Sequence, residues 1–359
     1  KVPFFSFNLE AEAADIFRNY IIKGGVRFHG LFEGHDYRLD FKALQFKVDF
    51  DAGVLQRKKI YGFLNNQSIF NQGEIWVGAS YPFSERSRIR ATVRGKQDRI
   101  VPGLDNSEAI LRPTIDRKMA ISTIEWVFDN SIDRSINRNF GVRSKVYGEY
   151  YQFTNFKGSM INLGFDIRRN VPVVGELMWA TRLAGSTSPG NFKTIYYLGG
   201  IETWINPQYN QTLPFARDPN YTFLALAPNL RGYPRNISYG YTTTVLSSEL
   251  RFPIISHFYK APLYNQFYKT FTLSTFVDMG GAWNGINPYN SPSPLNTKTY
   301  TLPNYIVTVT SPGNPWLLGT GLGVRAYVFG YLFKFERAWG YRNNKFGVGM
   351  NYLSIGLDF

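Results

Sequence analysis

Between residues 86 and 96 the chain reads RSRIRATVRGK, with Arg86, Arg88, Arg90, Arg94 and Lys96 at even positions and Ser87, Ile89, Ala91 and Val93 at odd ones. A period of two sets the basic and apolar residues on opposite faces of one strand. The same alternation returns along the chain. In YRLDFK, Tyr37, Leu39 and Phe41 oppose Arg38, Asp40 and Lys42, and in FKVDFD, Phe46, Val48 and Phe50 oppose Lys47, Asp49 and Asp51. Later, Leu163, Phe165 and Ile167 oppose Asn162, Asp166 and Arg168, while Leu246, Leu250 and Phe252 oppose Glu249 and Arg251. The chain is therefore all-β, built as a sandwich or a barrel.

Loop lengths separate the two. Two connections, roughly 206–239 and 286–316, are long and rich in Pro, Asn, Ser and Tyr, while the others are short. Short turns at one end and long loops at the other are the pattern of a transmembrane antiparallel β-barrel. About sixteen strand candidates of about ten residues each, the length that crosses a bilayer at the usual tilt, can be marked. Residues 10–22, EAEAADIFRNYII, read as a short helix or linker within 1–23. With no domain linker in sight, residues 1–359 read as a single barrel domain.

Composition fits. Aromatic residues make up 17% of the chain, and a mean hydropathy of -0.24 is what strands with one apolar and one polar face average to. No run approaches the roughly 18 apolar residues of a spanning helix. A net charge of +14 favours polyanions, nucleic acid or anionic lipid headgroups. Because cations on a lipid-facing surface cost several kcal/mol, the row from Arg86 to Lys96 is expected in the lumen. A nucleic-acid binder would not need apolar residues opposite each charge, so nucleic acid is not an expected partner. The absence of Cys excludes disulfides and thiolate chemistry. The first ten residues lack the design of a signal peptide, which reads as a mature chain or a fragment.

The most specific stretch is LRGYPRN, Leu230 to Asn236, where Gly232 permits a positive φ and Pro234 stiffens the backbone just after the turn. Next come Glu249 in SSELRFP and Asp278 in FVDMGGAW. In this order the three features resemble the BamA/TamA outer-membrane assembly and translocation superfamily, the bacterial surface antigen barrels, strongly over residues 190–359 and in general character before them. The resemblance implies a sixteen-stranded barrel, the C-terminal part of a longer chain, with an extracellular loop folded back into the lumen. Arg231, Gly232 and Tyr233 would then be the loop tip, and Glu249 and Asp278 its acidic partners. One bidentate Arg–carboxylate contact in a partly dehydrated lumen suffices physically to pin such a loop.

The chain ends YLSIGLDF, with Leu353, Ile355, Leu357 and Phe359 on one face, which resembles the C-terminal signal of outer-membrane barrels. Gly347 and Gly349 weaken the same strand, and the phase of alternation slips near Asn351, implying a bulge or an early end of pairing. A lateral seam between the last and first strands is expected there. Gly319, Gly321 and Gly323 in GTGLGVR lack the spacing of a dinucleotide site and read as inward glycines making room for the loop.

No catalytic or metal constellation stands out. His29, His35 and His257 lack metal spacing, and Asp129 and Asp133 miss the calcium-loop pattern. The expectation is a non-enzyme without cofactor or metal in the bacterial outer membrane. Its partners would be membrane lipids, including anionic lipopolysaccharide, and periplasmic or envelope proteins. Its task would be the insertion or translocation of proteins or lipids through a seam or plugged pore. The alternatives are a passive porin, whose basic row sets anion preference, and a barrel that only anchors an envelope complex.

Overall fold

The computed structural model describes residues 6–29, 34–63, 66–102, 114–135, 138–211, 221–259, 262–289, 295, 297–302, 305–310 and 314–356. Leu357 and Phe359 lie outside them. Among the described residues, no helix is long and apolar enough to cross a membrane, and seventeen strands belong to one sheet. The chain divides into two compact units, residues 1–126 with 147–161 and residues 127–146 with 162–359.

The strands begin with β1 (Ser6–Ala14), β2 (Tyr20–His29), β3 (Gly34–Ala43), β4 (Asp49–Phe63), β5 (Asn66–Ser84) and β6 (Ser87–Val101). They continue with β7 (Ile115–Asp129), β8 (Ile132–Ser135), β9 (Arg138–Phe153) and β10 (Ser159–Pro172). In the first unit, β1 to β6 pair as successive antiparallel neighbours.

Two expectations are corrected here. Residues 10–22 are neither helix nor linker: they end β1, turn, and begin β2. The alanines favour a helix only weakly, and cross-strand pairing overrides them; Glu10 meets Lys23 across the hairpin at 2.9 Å. Arg86 is not in the basic row, because the chain turns at residues 85–86 and β6 starts at Ser87.

The second unit adds β11 (Met178–Thr187), β12 (Lys193–Leu198), β13 (Tyr221–Leu226), β14 (Ser238–Gly240) and β15 (Thr242–Phe252). Two short helices come after them, α1 (Ile254–Phe258) and α2 (Gln266–Thr270). Then come β16 (Thr272–Trp283), β17 (Thr297–Leu302), β18 (Tyr305–Thr310), β19 (Leu317–Val328), β20 (Tyr331–Arg342), β21 (Lys345–Phe346) and β22 (Met350–Ile355). Antiparallel pairing runs β10–β11–β15–β16–β19–β20–β22.

The two long connections carry structure of their own. β12 pairs parallel with β13 and antiparallel with β14, and β17 with β18 forms a hairpin. The strand number brackets the expected sixteen, depending on whether the short β8 and β21 are counted separately.

Burial in the second unit inverts the usual pattern. Trp179, Leu183, Leu246, Leu250, Val277, Leu322 and Phe335 are exposed, while Arg231, Glu249, Arg251, Asp278, Arg325 and Glu336 are buried. Water-soluble domains bury the first kind and expose the second. Apolar packing lies on the buried face, in one cluster around Leu198, Leu230, Tyr233, Val245 and Leu317 and another around Ile201, Trp204, Phe276, Ala338 and Tyr352.

Candidate functional site

Arg231 sits between β13 and β14, in the loop that links β12 to β15. Gly232 comes directly after it with φ of 91°, a conformation that favours glycine. A Cβ at Gly232 would also meet the backbone of Trp339 and Gly340 at 2.7–2.9 Å, so the tip lies directly on β20.

The guanidinium grips Asp278 with two bonds, Nε to Oδ2 at 2.7 Å and Nη2 to Oδ1 at 2.8 Å, and the Arg231 backbone N–H donates to the same carboxylate at 3.1 Å. Nη1 donates to Glu249 at 2.9 Å and to Glu336 at 2.7 Å. The cation also stacks over the Phe276 ring, 3.4 Å from its centre. Charge-assisted, bidentate and dehydrated contacts are the strong kind. Burial opposes the charge on Arg231, but Asp278 first, then Glu336 and Glu249, outweigh it and hold its pKa well above the ordinary value.

These carboxylates serve other cations as well. Glu249 accepts from Arg251 Nε at 2.8 Å and from Arg325, and Arg325 reaches Ser274 at 3.3 Å. The alternation explains why they converge. Glu249 and Arg251 are two apart on β15, Ser274, Phe276 and Asp278 two apart on β16, and Glu336 shares its face of β20 with Ala338.

The rest of the tip is held by phenols. Tyr352 Oη accepts from the Gly232 N–H at 2.8 Å and donates to the Tyr233 carbonyl at 2.8 Å. Tyr233 Oη lies 3.0 Å from the carbonyls of both Leu318 and Tyr341. Burial pushes the Tyr233 phenol up to about 12, so it stays a neutral donor at ordinary pH.

A neighbouring stretch of the loop reaches β22. Trp204 bridges Ser354, the Ile205 N–H donates to the Leu353 carbonyl at 2.8 Å, and the Trp204 ring packs on Tyr352 with centres 4.5 Å apart. Arg235 fastens this stretch by donating to the carbonyls of Ile201 and Glu202 at 2.9 and 2.6 Å.

The residues singled out from the sequence thus fall into four groups. Arg231, Gly232, Tyr233, Glu249 and Asp278 are brought together. Of the inward glycines, Gly319 alone makes room for the tip: a Cβ there would strike the Arg231 carbonyl, whereas at Gly321 and Gly323 it would meet other strand residues.

The basic row is in the first unit and is matched with acids. Arg90 meets Asp51 at 2.7 Å, Arg94 meets Glu74 at 3.2 Å and Lys96 meets Asp98 at 2.7 Å, while Arg88 is exposed. In the C-terminal group, Leu353 is exposed and Ile355 half-buried at the end of β22. Gly347 and Gly349 fall between β21 and β22. There β20 passes from Tyr341↔Phe346 to Ala338↔Met350, so Trp339 and Gly340 face the three residues 347–349. Three against two is a bulge.

Sequence reasoning missed Glu336, Tyr352, Phe276, Trp204 and Arg325. For Glu336 and Tyr352 a signal existed: each sits opposite the apolar face of its strand.

The sequence matches no known family profile and no curated protein. Solved structures do match in fold. BamA from Haemophilus ducreyi, in a form lacking POTRA domains 1–3, aligns at a TM-score of 0.54 and 10% identity, over 98% of this chain and 70% of that one. CdiB from Acinetobacter baumannii aligns at 0.50 and 12%, over 98% of this chain and 56% of that one. This chain therefore spans just over half the length of the CdiB structure. In fold, the chain is similar to the β-barrels of these BamA and CdiB structures.

Proposed function

We propose that this chain acts at the bacterial outer membrane in the insertion or translocation of proteins or lipids, through a loop-plugged barrel and its interrupted last strand. The observation that carries this reading is the docked tip. Arg231 is held by three carboxylates and its backbone neighbours by Tyr352 of the last strand, so the loop and β22 are fastened to one another. An open diffusion pore has no need for such a fastening. Charge pairing along the basic row also counts against the porin reading, because Arg90, Arg94 and Lys96 each face an acid.

Planar-bilayer recording tests it. The unmutated protein is expected to show mostly closed, flickering currents, and Arg231→Ala to show longer and larger openings. A steady, large, anion-selective conductance in the unmutated protein would establish the porin instead.

A further inference from the structure

The register of the first unit sorts its apolar face into cross-strand rows. One row is Ala13–Ile22–Phe41–Ala52–Val77–Val93 and the next is Ala11–Gly24–Leu39–Val54–Ile75–Gly95, both wholly apolar. The third, Leu9–Val26–Tyr37–Gln56–Gly73–Gln97, mixes apolar and polar residues, and the fourth, Phe7–Phe28–His35–Lys58–Asn71–Arg99, brings in cations. Successive rows lie about 7 Å apart along the strands.

The second and third rows, with residues of the row between them such as Arg38, Leu55, Glu74 and Lys96, line a hollow of ≈ 1190 Å³, which also reaches Lys118 and Ala120 of β7. It is larger than the roughly 300–1,000 Å³ of a typical small-molecule site. Its glycines are not demanded by the backbone, since none of Gly24, Gly73 and Gly95 has a positive φ. Nor are they crowded. A Cβ at Gly24 would find its nearest atom at 3.9 Å, one at Gly95 at 3.4 Å, and one at Gly73 nothing within 4 Å. Glycine inside a strand weakens it and marks a close approach of something else. By contrast, Gly53 and Gly78 are filled against Trp76 and Asp51.

We propose that this hollow is a binding site for one anionic membrane phospholipid. An acyl chain lies over Leu39, Val54, Ile75 and Gly73, and the phosphate is held by Lys58, Arg99 and Lys118. The order of the rows, apolar, mixed, then basic, matches the order of parts in such a lipid. Asp116, bonded to Gln97 at 2.9 Å, is an acid on the same strand as Lys118; Lys58, Arg99 and Lys118 outnumber it, and that balance favours a headgroup with net negative charge. The proposal rests on the reading that the apolar face meets a bilayer, and its test separates the two.

The full chain is reconstituted in phosphatidylcholine bilayers containing a minor fraction of phosphatidylglycerol. One lipid at a time carries a photoreactive acyl chain, and labelled peptides are mapped. Label from phosphatidylglycerol is expected to concentrate on β4, β5 and β6 over the exposed apolar residues of β15 and β16. Gly73→Trp, which enters open space, should abolish that enrichment. Lys58→Ala, Arg99→Ala and Lys118→Ala should each lower the preference for phosphatidylglycerol about fivefold while acyl labelling persists. Should Gly73→Trp fail to fold, the three cation variants decide alone. Even labelling of both regions, indifferent to headgroup, would overturn the site and keep the membrane reading; no label on either apolar face would overturn both.

Discussion

The polar faces of the two units use the same residue types in different ways. In the first, ion pairs stand beside water: side-chain exposure is 33% and 10% for Arg57 and Asp36, and 34% and 18% for Arg90 and Asp51. In the second, Arg231 and Asp278 are 6% and 0% exposed, and three arginines interlock with three carboxylates. Exposed pairs contribute up to about 1 kcal/mol each, whereas breaking a buried one costs about 3–5 kcal/mol, because its partners stay buried and uncompensated. A lining made of separable pairs can be changed one residue at a time. A lining built around one inserted arginine stands or falls together.

The largest effect that can break this contrast is expected for Arg231→Ala. It should destabilise the second unit by about 3–5 kcal/mol in urea unfolding and make the loop around residues 228–236 cleavable by added protease. A resistant loop of unchanged stability would mean that the buried network is no clamp.

Tyr352→Phe is next. It keeps the ring against Trp204 but leaves the Gly232 N–H and the Tyr233 carbonyl without their partner, at a cost of about 1–3 kcal/mol. Loop cleavage should rise while Arg231 remains bound. If Tyr352→Phe matched Arg231→Ala, the tyrosine rather than the arginine would dominate. The smallest effect belongs to the first unit. Arg90→Ala should change stability by less than about 1 kcal/mol, measured in the same unfolding experiment, and a larger loss would erase the distinction between the two faces.

Legibility in the sequence tracks the same divide. Strand faces are readable because charge and apolarity alternate, as at Arg38, Leu39 and Asp40, and because the buried face of a strand such as β16 shows its acid at the right parity. Arg231, Glu249 and Asp278 are readable through their order along the chain. Glu336 shows its face by parity but not its partner, since only the pairing β19–β20 brings it to the guanidinium. Tyr352 is hidden when attention rests on the apolar side of its strand. At β1 the Ala-rich stretch misleads because short-range preference is weaker than the hairpin with β2.

The bond from Ile205 to Leu353 has a consequence for any other chain that approaches β22. A bare strand edge is a template that accepts almost any extended peptide, since the backbone is the same in all of them. Here part of that edge is occupied by residues tethered to the same molecule. Their effective concentration is of the order of millimolar, fixed by the length of their tether and not by what surrounds the protein. A newcomer at Leu353 therefore competes with a resident that never diffuses away, and only a chain that makes several backbone bonds in succession can win.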